Sequence, residues 1–260
     1  MDKNKIAIVG DIHGCFEETT DLLRLMVEKP DIREVIFLGD ILDKGPDGPK
    51  VLDLIKTMSI EAPIKVSIVE GNHEAVNFKY WDKAESQNKE RFNHKDSEGM
   101  ESNYLNIPSN TKNWLKRKVV PYILRPDHNI VIIHGGILPK IDSLFANMDE
   151  LSRKTKSRIL RGRYLRYVNK EGDMVRTGEE NKGAGDRFWA EIYDGRFGHC
   201  YFGHNPFPQE LPKKFKYATG LDLGAVHGGY LAAAIVGVDE PTQYITTKAH
   251  KEYSPWKIFD

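Results

Sequence analysis

The chain has 260 residues, 40% of them hydrophobic and 29% charged, which is the balance of an ordinary globular protein. Lysine plus arginine equals aspartate plus glutamate at 38 each, so the overall charge gives no reason to expect a nucleic-acid or membrane-surface partner. No stretch approaches the roughly 18 uninterrupted apolar residues of a membrane span, and there is no internal repeat or low-complexity tract.

In chain order, Met1 to Lys5 carries no apolar signal core or small-residue cleavage site and leads directly into Ile6–Val9, a β-branched run that ends at Gly10 and predicts a buried strand. Phe16 to Glu28 groups Leu22, Leu23, Leu25 and Met26 as on one helix face, with Pro30 as the stop. Val35–Leu38 predicts the second strand, Pro49 to Met58 the second helix, and Val66–Val69 the third strand, ending at Gly71. Strand–helix–strand–helix–strand is the pattern of parallel β-α-β units. Residues 82–118 are polar and weakly periodic, and predict a helical or loop excursion that acts either as a cap over a site or as a solvated insertion. Asn129 to His134 returns to a strand. The last third is richer in strands, at Cys200–Phe202, Tyr217–Leu223, Tyr230–Val238 and Gln243–Thr247. This predicts a second sheet packed on the first within a single domain spanning 1–260.

The chemistry lies at the ends of these strands. Gly10-Asp11-Ile12-His13-Gly14, Gly39-Asp40, Gly71-Asn72-His73-Glu74, His134-Gly135-Gly136 and Gly203-His204 each set an Asp, Asn or His beside glycine. In open α/β sheets ligands bind outside the carboxyl ends of the strands, so Asp11, Asp40 and Asn72 should converge although about thirty residues separate each from the next. A lone D-x-H is common by chance, but five such pieces in order are not. Oxygen and imidazole ligands suit manganese, with iron, zinc, nickel or cobalt as alternatives, and disfavour a soft thiolate site. Two divalent ions about 3.5–4 Å apart can clamp an in-line displacement and make a hydroxide nucleophile from water near neutral pH. Holding two cations that close needs a bridging carboxylate, and Asp40 is central in the set.

In order and wording these motifs resemble the calcineurin-like metallophosphoesterases, within them the phosphoprotein-phosphatase-like branch that also holds bacterial symmetrical diadenosine tetraphosphatases. The resemblance runs from residue 10 to about residue 232 and includes Gly220-Leu221-Asp222-Leu223-Gly224-Ala225-Val226-His227-Gly228-Gly229-Tyr230-Leu231. It implies an α/β fold of two mixed β-sheets packed as a sandwich flanked by helices. It also implies one metal on Asp11, His13 and Asp40 and a second on Asp40, Asn72, His134 and His204, with His73 as general acid oriented by Asp43. A carboxylate beside an imidazole fixes its tautomer and favours its charged form, which agrees with that role. The activity implied is a two-metal phosphatase acting on phosphate monoesters, phosphoserine or phosphothreonine protein among them. The alternative is a symmetrical dinucleoside tetraphosphate hydrolase, and more remotely a phosphate-binding protein without catalysis. The partner is then a phosphorylated protein, nucleotide or small molecule.

Three details refine this. Pro206 stands where nuclease relatives carry a second histidine after Gly203-His204, which counts against a nuclease. Lys44 replaces the arginine of many phosphoprotein phosphatases in Gly39-Asp40-Ile41-Leu42-Asp43-Lys44-Gly45, giving charge without a bidentate fork and loosening a phosphoprotein assignment. Arg153, Arg158, Arg161, Arg163 and Arg166 read by themselves as a solvated helix face. The resemblance implies a phosphate-binding arginine there, Arg163 first and Arg161 next. Cys15 and Cys200 are too few for a disulfide framework and form no C-x-x-C pair, which predicts a reducing, cytoplasmic setting. Cys15 reads as a small buried hydrophobe, and Trp81, Trp114, Trp189 and Trp256 as core or packing residues rather than base-stacking platforms. His94 and His128 read as surface histidines, whereas His227, in a glycine turn, has an open relation to the site.

Overall fold

The β-branched run at Ile6–Val9 forms the centre of the molecule because both of its faces find apolar partners. In a computed structural model that describes residues 4–29, 31–86, 97–139, 153–167, 174–177 and 182–256, β1 (Lys5–Val9) points Ile6 and Ile8 to one side and Ala7 and Val9 to the other, all buried. A strand covered on both faces reads as a continuous apolar run, as this one does. It pairs in parallel with β2 (Ile32–Phe37), which pairs in parallel with β3 (Lys65–Val69). The intervening helices are α1 (Phe16–Val27) and α2 (Gly48–Glu61). Helix α1 buries Leu22 and Met26, one turn apart, but leaves Leu25 exposed, so its apolar stripe is narrower than the sequence suggests.

Helix α3 (Asn72–Glu85) starts at the end of β3 and is followed by α4 (Ser97–Asn106), α5 (Ser109–Lys118), β4 (Val119–Val120), β5 (Tyr122–Arg125) and β6 (Ile130–Ile133). Then come α6 (Arg153–Arg161), β7 (Tyr164–Tyr167), β8 (Met174–Thr177), β9 (Arg187–Phe188), α7 (Trp189–Ile192), β10 (His199–Phe202), β11 (Lys213–Lys214), β12 (Ala218–Gly220), β13 (Asp222–Leu223), β14 (Tyr230–Val236) and β15 (Gln243–Lys248).

These strands make two mixed sheets and one small one. The first has the order β13-β14-β1-β2-β3-β4, with β15 on the other edge of β14; the second has the order β11-β12-β10-β6-β5. They face each other across a layer in which Ile6, Ile8, Ile36 and Val69 meet Ile123, Ile130, Ile132 and Tyr201. Full burial of an aliphatic side chain of this size contributes about 1.5–3 kcal/mol, so this layer is a main source of cohesion between the sheets. A second link is polar. Arg125 of β5 donates to Glu34 of β2, with Nε 3.1 Å from Oε2, and Ser67 Oγ of β3 donates to the same carboxylate at 2.7 Å. The outer face of the first sheet packs on α1 and α2, and the outer face of the second packs Val131, Ile133 and Phe202 on Ile159 and Trp189.

The second sheet is not a product of the C-terminal third alone, as the sequence suggests. It takes β5 and β6 from the middle of the chain, while β13, β14 and β15 return to the first sheet. Tyr217–Leu223, predicted as one strand, is two. β12 belongs to the second sheet and β13 to the first, and the chain crosses between them at Leu221, which is buried in the layer they share. The arginine run is likewise not one helix face: α6 ends at Arg161, and Arg166 lies in β7 of a three-stranded sheet, β8-β7-β9.

The excursion is helical over its described residues. Met100, Ile107 and Leu115 are buried, the last two in the same cluster as Trp81 of α3. Residues 87–96, with His94, lie outside the described residues. His128 is not a surface side chain: its ring is 4% exposed, and Nε2 lies 3.1 Å from the carbonyl oxygen of Asn4.

Candidate active site

The parallel strands β1, β2 and β3 of the first sheet end at the same edge, as do β6 and β10 of the second. The motifs follow these five strands directly. Asp11 and His13 come from the loop after β1, Asp40, Asp43 and Lys44 from the loop after β2, and Asn72 and His73 from the first turn of α3. His134 follows β6 and His204 follows β10. Asp11, His13, Asp40, Asp43, His134 and His204 are all buried although polar.

Asp40 is the centre. Its Oδ2 lies 3.5 Å from His13 Nε2 and 4.0 Å from His73 Nε2, and its Oδ1 lies 3.4 Å from His134 Nε2. Two groups of side chains that could hold a metal ion therefore share it, His13–Asp40–His73 and Asp40–His134–His204. Burial would raise the Asp40 carboxyl, but the imidazoles of His134, His73 and His13 hold it well below the usual carboxylate range. Asn72 joins the second group, with Oδ1 3.0 Å from His134 Nε2.

Backbone carbonyls orient the imidazoles. His13 Nδ1 donates to Leu42 O at 3.1 Å and His134 Nδ1 to Leu38 O at 2.8 Å. In each case this fixes the tautomer that turns the Nε2 lone pair to the centre, the usual support for a metal-binding histidine. His13 and His204 are held neutral, first by burial and then by a neighbouring cation, Lys44 for His13 and Arg163 for His204. The contacts are direct: Lys44 Nζ donates to His13 Nε2 at 3.0 Å, and Arg163 Nε donates to His204 Nε2 at 3.2 Å.

Asp11 is held differently. Its Oδ2 accepts the backbone N–H of His204 at 2.9 Å, a bond that joins the two sheets, while its buried Oδ1 has no hydrogen-bond partner. An orphaned carboxylate oxygen beside two groups of metal-ligating type fits a divalent cation. Burial, then the charges of Asp222 and Asp40, push its carboxyl well above the usual range. The approach needs Gly203, because a Cβ there would stand 1.9 Å from Asp11 Oδ1.

The backbone around the site is strained. His13, Asp40, Asp43, Lys44 and His204 all adopt positive φ, between 47° and 71°. For non-glycine residues such conformations cost of order 1–3 kcal/mol each and persist only where the surroundings enforce them. Here Glu74 does much of that. Its carboxylate accepts the N–H groups of Asp40 at 2.6 Å, Ile41 at 2.9 Å, Leu42 at 3.3 Å and Gly71 at 3.1 Å, tying the loop after β2 to the start of α3.

His73 Nδ1 lies 2.8 Å from Asp43 Oδ2. Burial would lower its pKa, but Asp40 and the Asp43 bond raise it, so the ring favours its charged form. Asp43 is in turn held by Asn77 Nδ2 at 2.8 Å and by Asn103 Nδ2 at 2.6 Å. Neither asparagine was legible as a site residue. Asn77 had a faint signal, since it lies one helical turn after His73, whereas Asn103 had none, being brought from α4 by tertiary packing. Glu74 had a signal in its position, the third residue of a helix whose start needs an acceptor.

A cavity of about 470 Å³ opens on this centre, lined by Asp11, His13, Lys44, His73, Arg163 and His204 among others. Of the two arginines favoured from the sequence, Arg163 lines it and Arg161 is not among its lining residues. Arg163 lies in the link between α6 and β7, where its carbonyl accepts the N–H of Trp189 at 2.9 Å. Asp222, also in the lining and buried, accepts Gly224 N–H at 3.0 Å. His227 and Trp256 line the cavity as well, whereas Trp81 and Trp189 are core residues and Trp114 packs on the core. Cys15 and Cys200 are free and buried.

The family model of calcineurin-like phosphoesterases matches residues 4–229, and the chain belongs to that family. It is a metal-dependent phosphoesterase, a hydrolase of the kind whose members use divalent metal ions. A bis(5'-nucleosyl)-tetraphosphatase PrpE, designated asymmetrical, from Oceanobacillus iheyensis is 27% identical over 244 residues, covering 88% of this chain and 87% of that protein. Its namesake from Geobacillus thermodenitrificans is 28% identical over 246 residues, covering 88% and 89%. Among solved structures, a candidate diadenosine tetraphosphatase superposes with a TM-score of 0.71 at 25% identity, covering 98% of this chain and 95% of that one. A serine/threonine phosphatase from Saccharomyces cerevisiae shares the fold, with a TM-score of 0.59 at 17% identity, covering 96% and 82%.

Proposed function

We propose that this enzyme is a two-metal hydrolase that cleaves the phosphate anhydride chain of a dinucleoside tetraphosphate asymmetrically. The observation that carries the hydrolytic part is the convergence of imidazoles on Asp40 from both sheets, with His73 and its carboxylate partner beside them. One ion would be held by Asp11, His13 and Asp40, and the other by Asp40, Asn72, His134 and His204, an oxygen and nitrogen set that suits manganese, iron or zinc. When bound, the ions supply Lewis-acid polarisation of the phosphate and a nucleophile generated from water.

The protein's own groups do the rest. His73 gives a proton to the departing phosphate oxygen from Nε2, while Asp43 holds Nδ1 and favours the charged ring. Lys44 and Arg163, both in the cavity wall, set positive charge against the phosphoryl oxygens as charge develops on them. A non-catalytic phosphate-binding role would leave this oriented acid without a purpose.

The substrate part of the proposal is supported by the names of the relatives, which cover 88% of the chain, and differs both from the phosphomonoesters of the leading sequence reading and, in regiochemistry, from the symmetrical cleavage that the resemblance offers as the alternative. A cytoplasmic location goes with it and is supported by the two free cysteines. Among the described residues no helix is long and apolar enough to cross a membrane.

The test is product analysis. Purified protein with manganese should convert diadenosine tetraphosphate to AMP and ATP. Two molecules of ADP would mean symmetrical cleavage. Hydrolysis of p-nitrophenyl phosphate or a phosphopeptide with no attack on the dinucleotide would return the enzyme to the phosphomonoesters that the motifs suggest. Inactivity on all of them would end the hydrolase proposal.

A further inference from the structure

The described residues after β15, 249–256, run back along the molecule and reach the wall of the catalytic cavity. Many bonds hold this strap there. Ala249 N–H donates to Gly229 O at 2.9 Å, and Tyr253 and Ser254 N–H both donate to Val226 O, at 3.0 and 2.9 Å. On its other side, Glu18 of α1 accepts His250 N–H at 2.8 Å and the Tyr253 hydroxyl at 2.9 Å, and His250 Nε2 lies 2.9 Å from Asp21 Oδ2. His227 Nδ1 closes the loop onto Ser254 O at 2.6 Å. These bonds fix the path of the strap as far as Ser254, two residues before Trp256.

Trp256 does not enter the core. Its indole lies against the imidazole of His227, with ring centroids 4.6 Å apart and planes 33° from parallel, and both rings line the cavity together with Asp11, His13 and Lys44. The turn beneath makes room for it: Gly224 has φ +68°, and a Cβ there would stand 2.7 Å from Trp256 Cζ2. The aromatic residues of the other wall are already engaged. Phe188 and Phe207 sit in a cluster of rings with Phe202 and Phe215, and the Lys182 ammonium lies 4.4 Å over the Tyr164 ring. The half-buried His227–Trp256 pair is therefore the flat surface best placed beside the phosphate-binding centre.

We propose that Trp256, braced by His227 and the 249–256 strap, is a stacking platform for a nucleobase of the substrate. The proposal rests on the reading of the site as one that cleaves a dinucleoside tetraphosphate. Base–aromatic stacking tolerates any base, because each has a π-face, and its loss on substitution by alanine corresponds to about 5- to 150-fold in affinity.

Two measurements test it. In Trp256→Ala, the ratio of kcat/KM for diadenosine tetraphosphate to kcat/KM for p-nitrophenyl phosphate should fall about 5- to 150-fold, through KM, and Trp256→Phe should recover most of it. Titration of AMP into wild-type protein should quench indole fluorescence, and the quench should disappear in Trp256→Phe, which retains the other three tryptophans. An unchanged ratio, or a quench that survives in Trp256→Phe, would overturn the platform. Wild-type protein that turns over p-nitrophenyl phosphate but not the dinucleotide would defeat the substrate reading instead, and the AMP titration would still decide the platform by itself.

Discussion

The two groups that share Asp40 are assembled by different means. His13–Asp40–His73 draws its members from the ends of three adjacent parallel strands of the first sheet, His13 and Asp40 from the loops after β1 and β2 and His73 from the first turn of the helix after β3. Asp40–His134–His204 needs the second sheet to dock on the first before His134 and His204 approach the carboxylate. The first group is braced from within the same sheet, with Glu74 at the start of α3 holding the loop of Asp40 and Asp43 of that loop holding His73. The second is braced by bonds that cross the sandwich, from His134 to Leu38 O and from His204 N–H to Asp11. A site of this form cannot be complete until the inter-sheet layer has packed, which couples activity to the cohesion of the sandwich.

The largest break in this comparison should come from the shared residue. Asp40→Asn is expected to remove metal from both groups and lower kcat on the order of 10³-fold or more, since each ion supplies several kcal/mol of transition-state stabilisation. Metal content by mass spectrometry should fall from two ions per chain toward none, and loss of a single ion would mean that Asp40 does not bridge.

His73 sharpens the contrast, because it lies within the first group yet is proposed as an acid. His73→Asn should lower kcat by about 10²–10⁴ while two ions remain bound, with a smaller loss for p-nitrophenolate than for a poor leaving group. If one ion departs with the imidazole, His73 is a ligand and the acid must be sought elsewhere.

The two cations divide in the same way, Lys44 beside His13 and Arg163 beside His204. Each replaced by alanine should cost about 10²–10³ in kcat, the size of loss seen when one donor to a developing oxyanion is removed. Lys44→Arg should retain activity, and Arg161→Ala should stay near wild type. A large loss in Arg161→Ala alone would move the phosphate contact to the end of α6.

The smallest expected effect concerns the sandwich itself and is read in stability. Burial would raise the Glu34 carboxyl, but hydrogen bonds from Arg125 and Ser67 and the charges of Arg125 and Lys65 hold it below the usual glutamate range. A depressed folded-state pKa means stabilisation that is complete above the unfolded glutamate value, about 4.3, and is lost as pH falls through the folded value. Urea midpoints of the wild type should therefore drop in that acid window, while Glu34→Gln should be about 1–3 kcal/mol less stable at neutral pH and show a shallower fall. Parallel acid profiles for the two proteins would remove Glu34 from this role.

Most of the residues that converge at the candidate site were legible in the sequence because each motif is short and abuts a strand end. Alternation of apolar and glycine residues gives the strand ends, and parallel pairing carries them to one edge. Asp11, His13, Asp40, Asn72, His73, His134 and His204 were all readable in this way, as was the parallel β1-β2-β3 core. Tertiary structure alone decided the partition of strands between sheets. Tyr217–Leu223 reads as one strand in the sequence, and only packing on either side of Leu221 divides it between two sheets. It also decided which polar residues support the site. Asn103 reaches Asp43 from sixty positions away, and Trp256 reaches the cavity on a strap fastened by Glu18 of the first helix. Local periodicity reports which face of an element is buried. It carries no information about which distant element covers that face, because docking is decided by shape and by hydrogen-bond partners that come together only in the folded chain.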